Sequence, residues 1–421
     1  MNGPEPADLR RLQLLFLAAA VFVVSAGYGA LLPLLPGWLS QQIPGSTPSQ
    51  VARHVGFLSG AYMAGVLVGA PIWGLISDRV GRPPILTAGL LGYIVSLLLL
   101  LLPSMGGPWG IYALRAAAGL FVAAVVPVVP ALVAAHTPKA IRARRFAWLG
   151  AASLLGFLFG PGLNAVADAL AAVFSNGDGL TVLSTRIVIV LSALLGASMM
   201  LGLALTLPKH EGAAESDADP TTSAPAGFAA LWWLSVAVNL VLSGFEIGIV
   251  LQGRQHAALS TQQVAMMFAE CSVVMLAINA LLFFTALLDK VPSRLFVAAG
   301  SLLGMAGLAV LTLHQTIGWV YLGVSLTSAG TGLILPVVSF LAAGTSHRKL
   351  GATMGGLAAA GALGQTLGSA AGGWLFGAVA RLSFAWLALP LLAISILLLF
   401  SPSWWRAAAA RPEPALSPTG S

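Results

Sequence analysis

Apolar runs of about 20 residues, the length one helix needs to cross a hydrocarbon core, follow one another along almost the whole chain. Twelve can be read, near residues 13–36, 54–77, 84–103, 109–135, 143–172, 185–207, 228–252, 262–288, 294–314, 317–343, 350–379 and 383–401. Charged residues make up only 8% of the 421, against about a quarter in soluble domains, so a soluble globule is excluded. The expected fold is an all-α membrane protein of about twelve transmembrane helices. The first run is too long for a signal-peptide core and lacks a cleavage site, so it counts as helix one.

Lysine and arginine give the orientation. With the N-terminus inside, 15 of the 20 fall in inside segments, four in outside loops (Arg53, Arg186, Arg254, Arg381), and Arg115 lies within a helix. The positive-inside rule then predicts that both termini are cytoplasmic. Trp232, Trp233, Trp404 and Trp405 fall at the same interface, as an aromatic belt requires. The net charge of +7 is therefore a topology signal and implies no nucleic-acid partner. A single cysteine, Cys271, excludes an intrachain disulfide. The six histidines form no close pair with metal-ligand spacing, so no metal and no cofactor are expected.

Residues 208–227 are the one long polar interruption and read as a cytoplasmic linker. They divide the chain into a six-helix N-terminal half (1–207) and a six-helix C-terminal half (228–402), followed by a tail (403–421). A faint repeat relates the halves: the loop holding Asp289, Lys290 and Arg294 lies 211 residues after the loop holding Asp78, Arg79 and Arg82–Pro83. The same offset places Gly330 opposite Gly119. Two such halves, with a substrate site near the midplane between them, are the architecture of many secondary transporters.

At these residues the chain resembles the major facilitator superfamily over nearly its whole length. Gly74-x-x-x-Asp78-Arg79-x-Gly81-Arg82 after helix two is similar to that family's signature loop, departing at Pro83, where a second basic residue is usual. Arg115-x-x-x-Gly119 in helix four is similar to the motif of proton-coupled members. Gly156-x-x-x-Gly160-Pro161 in helix five resembles the antiporter motif of drug exporters, with Asn164 and Ala165 where two glycines usually end it. The resemblance implies the major facilitator fold, a monomer, a bacterial inner membrane and exchange of protons against cargo. It also places the third and sixth helices of each half outside, and spans three, six, nine and twelve hold no charged or amide residue in their interiors. A dinucleotide fingerprint at Gly160–Ala165 lies inside an apolar helix with no preceding strand, so its chemistry is excluded. No Gly-Lys pair exists for a phosphate-binding loop, so an ion or substrate gradient must supply the energy.

Glu246 is the leading candidate for chemistry. Ser235, Asn239, Ser243 and Glu246 step by four, four and three along helix seven, which puts them on one face, expected to line a wet cavity. A charge inside a bilayer costs roughly 2.5–3.5 kcal/mol on insertion scales, so such groups are usually functional. Glu270, at a similar depth in helix eight, either pairs with Glu246 as a proton acceptor or holds a neighbouring helix. Arg115 pairs with a carboxylate, with substrate or with backbone, and by resemblance aids proton exchange. Gly74, Asp78, Arg79, Gly81, Arg82 and Asp289 are the expected inside gate. Gly156, Gly160 and Pro161 let helix five bend and pack closely. Tyr28, Asn164, Asn239 and Ser243 are expected in the substrate cavity, with Phe245 and Trp374 near it.

The expected function is proton-coupled export of a small organic compound (a drug, metabolite or metal-chelating molecule) by alternating access, with no enzymatic activity. Two alternatives stand beside it: a symporter or facilitator taking up a sugar or carboxylate, and a receptor or scaffold built on a transporter-like fold.

Overall fold

A computed structural model of the chain describes residues 10–102, 108–137, 139–174, 180–207, 227–255, 259–285, 287–345 and 350–400. Among these residues every regular element is helical, the form in which an open chain satisfies its own backbone polar groups within lipid. In chain order the membrane helices are α1 (Arg11–Gln42), α2 (Pro48–Val80), α3 (Arg82–Leu99), α4 (Pro108–Val122 and Val128–Ala135), α5 (Lys139–Phe174) and α6 (Leu180–Thr206) in the first half. The second half holds α7 (Phe228–Gln255), α8 (Thr261–Phe284), α9 (Ser293–Leu313), α10 (Ile317–Thr345), α11 (Leu350–Val379) and α12 (Ser383–Leu387 and Leu389–Phe400). Among the described residues ten stretches are long and apolar enough to cross a membrane. The last of them, Thr353–Phe400, contains both α11 and α12, and α4 is broken into pieces too short to count alone. All twelve expected spans are therefore present in a multi-pass membrane protein.

Helix four departs from the single span expected over 109–135. Pro127 and Pro130 supply no N–H, and the chain passes through a turn at 123–127 in which Ala124 N–H donates to Phe121 O at 3.0 Å and Val125 N–H to Val122 O at 2.8 Å. Proline acts similarly in α1, where Leu32–Leu34 form a tighter 3-10 turn around Pro33, and in α12, where Pro390 follows the break. Pro71, Pro161 and Pro336 instead sit inside continuous helices, so the bend expected at Pro161 does not break α5.

The repeat reappears in how helices begin. Thr47 and Gln50 cap α2 reciprocally, and Ser260 and Gln263 cap α8 in the same way. Each pair satisfies two backbone donors left open at a helix start. Between α2 and α3, Gly81 takes φ 95° and ψ 155°, a region closed to side-chain-bearing residues, and its N–H closes α2 on Ser77 O at 3.0 Å. The glycine of the signature loop is thus required by the sharp reversal. Its counterpart loop is anchored differently: Arg294 Nη2 donates to Leu398 O at the end of α12.

The principal contacts of α3, α6, α9 and α12 stay within their own half, while the halves meet along α2–α11 and α5–α8. The α2–α11 crossing shows how. At the end opposite the linker, a Cβ on Gly56 would lie 2.6 Å from the Cα of Gly373, and one on Gly60 would lie 3.2 Å from Thr366 O. Carried on antiparallel, that register brings Gly74 opposite Gly355, yet a Cβ on either would meet nothing within 4 Å. The α2–α11 crossing is therefore tight at Gly56 and Gly60 and leaves open space beside Gly74 and Gly355.

Candidate functional site

Glu246 lies about nine residues before the end of α7, roughly 14 Å along the helix at the usual rise. Its half-buried carboxylate sits in a pocket lined by Phe245 and Ile249 of α7, Met267, Phe268 and Cys271 of α8, and Val324 of α10. Among the described residues it has no hydrogen-bond or ion-pair partner. A carboxyl group so surrounded is tolerated readily only when neutral, because an unpaired buried charge has no solvation to replace that of water.

The rest of the helix-seven stripe does not share this setting. Asn239 donates to Ser235 O at 2.9 Å and accepts from Gln365 Nε2 of α11 at 3.1 Å, and Ser243 Oγ lies 2.5 Å from Ser369 Oγ of the same helix. Asn239 and Ser243 are buried and turned toward α11, not toward open space. The reason lies in α11, where Gly364, Gly368 and Gly372 repeat every fourth residue and let backbone approach α7 at Val236, Leu240 and Gly244. With no side chains there, the polar groups of α7 find their partners directly across the seam.

Glu270 is also placed apart from the expected carboxylate pair. It accepts a hydrogen bond from Ser325 Oγ of α10, while its Oε2 is buried without a partner. It is not part of the Glu246 pocket; Cys271, next to it in sequence, is.

Arg115 forms the second charged site. It is 2% exposed, its Cζ stands 4.7 Å from the centroid of the Tyr62 ring, and its Nε and Nη2 have no hydrogen-bond partner. Tyr62, Tyr28 and Tyr93 are the groups within its electrostatic reach. Tyr28 packs on Tyr62 at 5.2 Å between centroids and edge-on against Phe157 at 5.7 Å. Its buried hydroxyl is unpartnered, and it lies within electrostatic reach of both Arg115 and Glu246. Asn164 of α5 is buried with both amide atoms unpartnered.

The motif residues divide by role. Gly156 and Gly160 bring α5 onto α1: a Cβ on Gly156 would lie 2.8 Å from Ser25 Cβ, and one on Gly160 2.8 Å from Ala30 N. Gly119 abuts the Tyr62 backbone, whereas Gly330 abuts Gly300 and Gly304 of α9, so the two positions related by the repeat face different partners. Arg79 is exposed and Arg82 half-buried at the start of α3. The side chains of Asp78 and Asp289 lie outside the described residues, as do Trp404 and Trp405. Trp374 is 51% exposed and lines neither pocket.

Several residues of these sites escaped the sequence reading: Tyr62 and Tyr93 beside Arg115, Ser325 on Glu270, Gln365 on Asn239, and Gln252, buried one turn beyond Ile249 with its amide unpartnered. The fourfold glycine spacing of α11 was a visible signal for the seam. Nothing local marked the tyrosines, which come from different helices.

The architecture and the sequence have relatives. The human organic anion transporter MFSD10 (TETRAN) matches with a TM-score of 0.69 at 20% identity, covering 94% of this chain and 100% of that one. The xylose transporter XylE of E. coli, in a partially occluded inward open conformation, matches with a TM-score of 0.68 at 16% identity, covering 93% and 98%. In sequence, the class G tetracycline resistance protein of Vibrio anguillarum is 34% identical over 158 residues, 36% of this chain and 39% of that protein. The quinolone resistance protein NorA of Staphylococcus aureus is 28% identical over 152 residues, 36% of this chain and 37% of its own. The chain thus matches well under half the length of these two sequence relatives. A family profile covers much more, residues 17–282, which takes in both the Arg115 and the Glu246 sites. By that match and by its twelve-helix architecture, the chain belongs to the Major Facilitator Superfamily.

Proposed function

We propose that the chain is a proton-coupled exporter of a small, drug-like organic compound, working by alternating access in a bacterial inner membrane with both termini in the cytoplasm. The observation that carries the reading is Glu246: an acid that has no partner among the described residues, inside an apolar pocket. In such a pocket the carboxyl group is stable when it holds a proton, and becomes a carboxylate only when water or cargo reaches it. Tyr28 feels both Glu246 and Arg115, so cargo entering near Arg115 alters the surroundings of the acid. Binding of cargo from the linker side and release of the proton to that side are then coupled. Closing the gap between Gly74 and Gly355 while parting Gly56 from Gly373 turns the sites to the other face. The signature loop, with Gly74, Asp78, Arg79, Gly81 and Arg82, and the counterpart loop with Asp289 serve together as the gate on the cytoplasmic side. The likeness to tetracycline and quinolone resistance proteins supports a drug-like cargo.

Purified protein reconstituted into vesicles, tested with tetracycline and a fluoroquinolone under an imposed pH gradient, tests the proposal. Uphill accumulation that a protonophore abolishes is expected. Equilibration alone, indifferent to the gradient, would contradict it and favour a facilitator.

A further inference from the structure

We infer that the Arg115 pocket of the N-terminal half is a subsite for an anionic group, a carboxylate or an enolate, on an aromatic or conjugated organic cargo. The inference deepens the transporter reading and rests on it for the word cargo. A guanidinium carries five N–H donors and no acceptor, and it stays charged at any working pH. Arg115 is 2% exposed, yet Nε and Nη2 meet no acceptor, and among the described residues no carboxylate forms an ion pair with it. The Tyr62 ring 4.7 Å away offers its π face, which attracts the cation but accepts none of those N–H groups in a directed bond. Buried donors left open are costly, and a two-oxygen anion is the ligand whose geometry matches a guanidinium fork.

The walls say what must be attached to that anion. Leu31, Leu35 and Trp38 of α1 and Thr185 and Ile189 of α6 line a cavity of about 10 Å³ beside Arg115, room for about one water, so these mostly apolar walls must part for the body of the cargo to enter. The unpartnered hydroxyls of Tyr28, Ser184 and Ser192 and the Asn164 amide add buried donors in the same half. Among the described residues no acid serves instead: Glu246 lies in its own pocket in the other half, and Glu270 is held by Ser325.

The test uses the full-length protein in detergent, in chloride-free gluconate buffer, with 2-naphthoate against 2-naphthamide as probes and calorimetry as the readout. Naphthoate should bind at least about tenfold more tightly than the amide, the worth of one charge-assisted hydrogen bond. Arg115→Gln should erase that difference, and Arg115→Lys should restore part of it. If Arg115→Gln does not fold, the wild-type comparison still decides. Equal affinity for both probes, no binding of either, or displacement of naphthoate by equimolar chloride overturns the subsite. The assay involves no gradient, so it is separable from the transport reading. Naphthoate binding without proton-driven accumulation would remove export and keep the subsite, and accumulation without naphthoate preference would do the reverse.

Discussion

Among the described residues Arg115 of the first half and Glu246 of the second each lack both a counter-ion and a hydrogen-bond partner for the charged group, and the two are housed in opposite ways. Arg115 is surrounded by phenol rings, with Tyr62 beneath its guanidinium and Tyr28 and Tyr93 nearby. Glu246 is surrounded by Phe245, Ile249, Met267, Phe268, Val324 and one thiol. Arginine does not give up its proton in a protein, so its site can be relieved only by a partner arriving from outside. A glutamate has a second route, since taking a proton removes the charge altogether. The difference separates a fixed charge suited to holding cargo from a switchable one suited to carrying a proton.

The sharpest way to break this comparison is to make the switchable site fixed. Glu246→Lys places a permanent cation in the apolar pocket, and a charge at membrane depth costs roughly 2.5–3.5 kcal/mol on insertion scales. Gradient-driven transport should be lost entirely and the melting temperature should fall; retained uphill transport in vesicles would show that Glu246 does not switch. Asn239→Leu tests whether the helix-seven stripe is structural. It removes the bond from Gln365 and should cost about 1–3 kcal/mol, the penalty for a stranded buried polar group. Thermal denaturation should report that loss while the cargo-to-proton ratio stays as in wild type, and an altered ratio would return Asn239 to the cavity. Tyr28→Phe should be smaller in stability but specific in effect, because its hydroxyl has no partner to lose. The melting temperature should hold while accumulation falls by about fivefold, a loss near 1 kcal/mol. Glu270→Gln is expected to do least. The amide oxygen can still accept from Ser325, so activity should persist in part, with a shifted pH optimum in a flux assay.

Much of this was legible in the sequence, and the limits are physical. Apolar length alone gave twelve spans, because lipid sets a minimum run for each helix. The same rule hid the break in α4, since Pro127 and Pro130 leave hydropathy unchanged while removing backbone donors. Arg115, Glu246 and Glu270 stood out because isolated charges in apolar runs are rare. Which neighbours they meet was not legible. The helical period put Asn239, Ser243 and Glu246 on one face, but a face spans wide enough an arc to touch two helices. The glycines of α11 took the side of Asn239 and Ser243, and Glu246, one turn on, fell to α8 and α10. The phenols around Arg115 come from α1, α2 and α3, helices that only the packed fold brings together.

The account turns on Glu246 as the proton carrier, and Glu246→Gln tests it most directly because glutamine keeps the size and removes the titrating proton. Wild-type and variant protein would be reconstituted side by side, and both uphill accumulation under a pH gradient and cargo exchange at equal pH would be measured. The variant should exchange cargo at a measurable rate yet accumulate none, at every pH. Accumulation against the gradient with the wild-type pH dependence would show that the proton travels elsewhere.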